Sequence, residues 1–155
     1  MLTLRLAAVA ALAALLTGCG TDEPTSTSTA TPPPTKADVV GSAPQDSPEK
    51  LFAEYVTRLS KADGAGTCAL FTTGGVGYFE DEWQVEGCEL VVTKAAGKIA
   101  DTTAFAAKTT PKSNVKDSDT VVELSGCGVG GMKVLKSDKG WLIDAYRHPD
   151  AVAGC

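Results

Sequence analysis

Asp144 and Tyr146 stand two apart in the run Trp141-Leu142-Ile143-Asp144-Ala145-Tyr146. On a strand, that spacing sets both side chains on one face. There a carboxylate as base and a phenol as oxyanion donor would serve proton transfer inside a cavity. The plainer reading of the same alternation turns Asp144 to solvent while Trp141 or Ile143 packs inward. His148, the single histidine, follows in a loop and reads as an exposed surface residue, which argues against histidine-rich metal or triad chemistry. Gly126-Cys127-Gly128-Val129-Gly130-Gly131 is glycine-rich like a phosphate loop. It lacks the Lys-Ser/Thr of such a loop and opens a strand, so its glycines read as a bulge or close strand packing beside a cystine. Glu80-Asp81-Glu82 reads as a solvated acidic loop, and Trp83 and Trp141 as core or cavity-lining aromatics. Cys68, Cys88, Cys127 and Cys155 are spaced by 20, 39 and 28 residues with no Cys-x-x-Cys. That spacing argues against a zinc knuckle and against a redox dithiol. No catalytic, cofactor-binding or metal-binding constellation emerges, and Asp144 and Tyr146 stay weak candidates.

The fifth cysteine belongs to a different segment. Residues 6–16 are 11 consecutive apolar residues behind a short n-region carrying Arg5. A bilayer-crossing helix needs about 20, so the run fits the h-region of a signal peptide spanning residues 1–18. Leu16-Thr17-Gly18-Cys19 then resembles the lipobox of bacterial lipoproteins. The resemblance implies that the Cys19 thiol takes a diacylglyceryl group through a thioether and becomes the first residue on cleavage. Two or three acyl chains, each buried methylene contributing ~0.8 kcal/mol, would then hold the protein on the extracytoplasmic face of the cell membrane.

Residues 19–46 read as a tether. Residues 21–35 contain six Thr, two Ser and four Pro, with almost nothing to bury. Such a segment cannot repay the entropy of ordering, and Pro-rich stretches extend ~3.1 Å per residue, so it can hold a domain well off the membrane. Thr and Ser beside Pro suit O-glycosylation equally as well as a bare spacer.

Export gives the remaining four cysteines an oxidising compartment, and an even set favours two disulfides. Four cysteines allow three connectivities, which the sequence leaves open; the shorter loops favour Cys68–Cys88 and Cys127–Cys155.

The domain that these cysteines staple spans residues 47–155 and holds all nine aromatics. Ser47-Pro48-Glu49 opens a helix with a capping Ser, Pro at its first position and an acid in its first turn. Leu51, Phe52, Tyr55, Val56 and Leu59 follow at helical spacing, and Asp63-Gly64 should end it. A second short helix over 67–71 carries Cys68. Residues 72–77 (TTGGVG) interrupt the helical pattern, and Tyr78-Phe79 start another turn. Residues 88–96 read as helix or strand, and 104–108 as a weak Ala-rich helix. After a turn at Asp117-Ser118-Asp119, strands are expected over 120–124, 129–136 and 141–146, the last two joined by a hairpin turn at Ser137-Asp138-Lys139-Gly140. Helices covering one face of an antiparallel sheet make an α+β domain.

The order of these features resembles small lipoproteins of high-GC Gram-positive bacteria with nuclear transport factor 2-like domains, the SnoaL or ketosteroid-isomerase-like cone. Carrying the likeness are the lipobox, the Thr/Pro tether, the helix with L-F-A-E-Y-V, the Cys68 helix and the closing K-S-D-K-G-W-L-I-D-A-Y. It implies a curved sheet wrapped around helices with a hollow interior. No catalytic motif of those enzymes matches here residue by residue.

Residues 46–155 carry 12 Lys and Arg against 16 Asp and Glu and have no basic block, which argues against nucleic acid as a partner. The reading is a membrane-anchored, non-catalytic binding or interaction module of the cell envelope, its partner a small apolar ligand or another envelope protein. The alternative is a cone enzyme of isomerase, hydratase or hydrolase type using Asp144 and Tyr146.

Overall fold

A computed structural model describes residues 39–108 and 112–153, all within one compact unit, Pro33–Cys155. The expected signal peptide, Cys19, the expected tether as far as residue 38 and Cys155 lie outside the described residues.

Helix α1 spans Pro48–Ser60; the Ser47 side chain accepts from the Lys50 N–H at 3.2 Å, and Pro48 fills a position that needs no donor. Its buried face is Leu51, Phe52, Tyr55, Val56 and Leu59, as the spacing requires. Helix α2 is Gly64–Cys68, a little earlier than expected, because Asp63 accepts from the Gly66 N–H and so starts the turn at once.

Helix α3 spans Thr73–Trp83, where the glycines of 72–77 predict an interruption. One local and two tertiary features outweigh their poor helix propensity. Thr72 caps the first turn through Gly75 N–H at 3.0 Å, Phe79 and Trp83 anchor the helix in the core, and Gly75 lets its first turn lie directly on the backbone of the last strand. Helices α4, Cys88–Ala96, and α5, Thr102–Lys108, follow. Residues 88–96 are therefore helix, with Val91, Val92 and Ala95 buried.

Four strands form an antiparallel meander in the order β1-β2-β3-β4: Lys112–Ser118, Val121–Gly126, Gly130–Ser137 and Gly140–Arg147. The domain is α+β. Strand β1 covers residues read as a turn and its approach; its sequence KSNVKDS has no apolar alternation, and it exists by pairing with β2, from Lys112↔Ser125 to Ser118↔Val121. The turn moves to Asp119-Thr120. Val122, Val134 and Ile143 align across the sheet on its core face, and Leu124, Met132 and Tyr146 align beside them. The far edge of β4 is covered: Trp141 exchanges both backbone hydrogen bonds with Gln45, and Ile143 bridges Phe71. Among the described residues no helix is long and apolar enough to cross a membrane.

The Cys68–Cys88 disulfide joins α2 to α4 across a Cα–Cα distance of 6.0 Å, the pairing favoured by loop length. Cys127, on the turn between β2 and β3, is also disulfide-bonded. Its expected partner Cys155 lies outside the described residues.

Candidate binding cleft

The irregularity in β4 decides where its polar side chains go. Lys133 pairs with Ala145 but Val134 with Ile143, so Asp144 is the extra residue of a bulge. The bulge shifts the side-chain phase by one. Tyr146 therefore joins Trp141 and Ile143 on the buried face, and Asp144 turns the other way. Asp144 is half-buried, and its Oδ1 accepts from the Thr72 hydroxyl at 3.0 Å, the same hydroxyl that caps α3. The structure thus separates the two weak catalytic candidates: Asp144 tethers a helix start, and Tyr146 lines a cleft.

That cleft has a volume of about 930 Å³. The C-terminal end of α3 contributes Glu82 and Trp83, and α4 with its exit contributes Lys94, Ala95, Lys98 and Ile99. Ala104 and Phe105 come from α5, Leu59 from α1, and Gly128 and Val129 from the turn beside Cys127. His148 and Asp150, just after β4, complete the rim.

Its floor is a hydrogen-bonded aromatic group. Tyr146 is buried and its hydroxyl donates to the Val129 carbonyl at 2.6 Å. Gly130, at φ 109°, sits where a Cβ would strike the Tyr146 ring, so the glycine turn is what lets the phenol reach that carbonyl. Burial pushes the Tyr146 phenol up to about 12; the Tyr55 hydroxyl and Trp83 indole oppose that rise, and the Glu82 carboxylate adds to it. Tyr55 is fully buried, and desolvation, then the neighbouring Tyr146, holds its phenol well above the ordinary range. Tyr55 Oη and Trp83 Nε1 have no hydrogen bond of standard geometry, but both lie close enough to the Tyr146 oxygen to act on it. The Tyr146 hydroxyl thus donates to the Val129 carbonyl with the Tyr55 hydroxyl and the Trp83 indole N–H nearby and unpartnered.

His148 is not an exposed surface residue. Its ring lies 4.6 Å from that of Trp83, tilted by 59°, and its side chain is 27% exposed. The backbone holds it there: His148 N–H donates to Glu82 Oε2 at 2.8 Å, and Nδ1 accepts from Asp150 N–H at 3.3 Å at the start of the short turn Pro149–Ala151. Glu80, Asp81 and Glu82 end a helix and do not form a loop; Glu80 accepts from the Gly87 N–H and Glu82 from His148. Trp83 lines the cleft while Trp141 stays in the core, both 7% exposed.

Sequence reading missed Lys98, Ile99 and Phe105. Ile99 and Phe105 are lone large apolar residues in an otherwise small and polar stretch, which was the available signal. No known family, curated protein or solved structure matches the chain. Among the described residues no group of three His, Cys, Asp or Glu is arranged to hold a metal ion.

Proposed function

We propose that this is an exported, lipid-anchored binding protein of the cell envelope whose α+β domain holds a small, largely apolar ligand in the cleft over Trp83 and Tyr146. The observation that carries the reading is the composition of that cleft. Leu59, Trp83, Ile99, Phe105, Val129 and Tyr146 give it an aromatic and aliphatic face beneath a charged rim, and its volume of about 930 Å³ sits at the upper end of the range that ligand sites occupy. Its carboxylates, Glu82, Asp101 and Asp150, are exposed at the rim, and the first two accept from backbone N–H groups. A desolvated acid poised for proton transfer is the feature an enzyme reading would need there.

The four-stranded meander, helices on its core face and the Asp138-Lys139-Gly140-Trp141 hairpin support a nuclear transport factor 2-like cone. The lipobox at Leu16-Thr17-Gly18-Cys19 and the Thr/Pro tether support the anchor.

Two measurements test the proposal. Cys19→Ser should move the protein from the membrane to the soluble fraction of the envelope; continued membrane retention of that variant would remove the lipoprotein reading. Native mass spectrometry of the protein exported by its own host should show an excess of a few hundred daltons over the oxidised chain, lost on denaturation. A bare mass would turn the assignment toward a protein partner.

A further inference from the structure

The charged groups around the cleft differ in what they are already doing. Glu82 accepts from the His148 N–H, and Asp101 accepts from the Ala104 N–H at the start of α5. Asp150 faces solvent beside His148, with its carboxylate 3.5 Å from Nδ1. Lys94 Nζ donates to the Trp83 carbonyl at 2.9 Å, satisfying the last turn of α3. Among the described residues, Lys98 is the cation lining the cleft whose side chain has no hydrogen-bond or ion-pair partner. It follows α4 directly, next to Ile99, so an uncommitted cation adjoins the apolar wall.

Resting on the binding reading above, we propose that the ligand is an amphiphile with an acidic head: the head pairs with Lys98 at the rim, and the apolar body lies on Ile99, Phe105, Val129 and Trp83. Open hydrogen-bonding capacity sets the head: Glu82 and Asp101 already accept from backbone N–H groups and Lys94 donates to a carbonyl, whereas the Lys98 ammonium keeps all its donors for a ligand oxygen. An open trough sets the body, since a molecule with one apolar flank and one solvated end fills it without burying an unpaired charge.

The test uses the exported Cys19→Ser full-length chain, whose own acyl chains cannot compete. The probes are palmitate, hexadecanol and 9,10-dibromostearate, each kept below its aggregation concentration. Dibromostearate should quench tryptophan emission saturably, because Trp83 lines the cleft, and palmitate should reverse the quenching. Lys98→Glu should weaken palmitate about fivefold, the scale of an exposed ion pair reversed. Lys61→Glu, at the exposed end of α1, should leave it unchanged, and hexadecanol should bind wild type and Lys98→Glu alike. Equal affinity of palmitate for wild type and Lys98→Glu would overturn the acidic-head proposal. So would the absence of quenching by dibromostearate. If native mass spectrometry still shows a neutral ligand from the host, the cleft remains a binding site and only the head group is wrong; if it shows none, the binding reading itself falls.

Discussion

Gly75→Ala should destabilise the domain by roughly 2–4 kcal/mol, although alanine is the better helix former by about 1 kcal/mol. A Cβ at position 75 would be driven into the Ile143 carbonyl oxygen, which already accepts from the Thr72 N–H at 2.8 Å. The obstacle is backbone on a strand tied to β3 on one side and to residues 70–72 on the other, so it cannot give way as a side-chain tip would. The helix must lift, and lifting it unseats Phe79 and Trp83, which bring the core its stacked contact with Phe71 and the cleft its floor. Gly77→Ala, one half-turn on in the same helix, is the control. A Cβ there meets nothing within 4 Å, so the propensity gain should appear undiminished, raising stability by about 0.5–1 kcal/mol. Thermal or urea unfolding of the two variants decides the matter. Equal and opposite shifts are not expected; a Gly75→Ala variant as stable as wild type would mean that α3 does not rest on β4 as described.

The same helix marks the boundary of what the sequence could reveal. Helix α1 was legible in full, because its cap, its proline and its apolar spacing are all local and agree with one another. The hairpin of β3 and β4 was legible for the same reason, its turn supplied by Gly140 at φ 132°. Helix α3 was not, because its glycines carry a packing message and not a turn message, and the partner that needs them, Ile143, is some 70 residues away in sequence. Strand β1 was invisible because its reason for being extended lies in β2. The bulge at Asp144 is a third such case. Strict alternation paired Asp144 with Tyr146, and one extra residue in the register undid the pairing. The cleft follows from these non-local events: Trp83 reaches it through α3 and Tyr146 through the bulge. The half of the domain that could be read locally is its scaffold, and the half that could not is where the site lies.

Breaking the Cys68–Cys88 bridge should cost about 3 kcal/mol and lower the unfolding temperature by about 10–20 °C, since it closes a loop of 20 residues. The double variant Cys68→Ala/Cys88→Ala is the cleaner form of the test, because it leaves no thiol to re-pair. What the loop contains makes the effect more than a change in midpoint. It runs through α3 from Thr72 to Trp83 and on to Cys88, so it carries the capping hydroxyl, the Gly75 contact and the indole under His148. Without the bridge, local opening of this loop should be frequent enough to expose Trp83 before the sheet unfolds, because β2, β3 and β4 are held by their own ladder. Tryptophan emission would then shift to the red at lower denaturant than the loss of far-ultraviolet ellipticity, where wild type shows one coincident transition. Coincident transitions in the double variant, or a cost below about 1 kcal/mol, would mean that the packing of α3 on β4 alone fixes this wall of the cleft. In that case the cystine would be a passenger, and Gly75 the element on which the site depends.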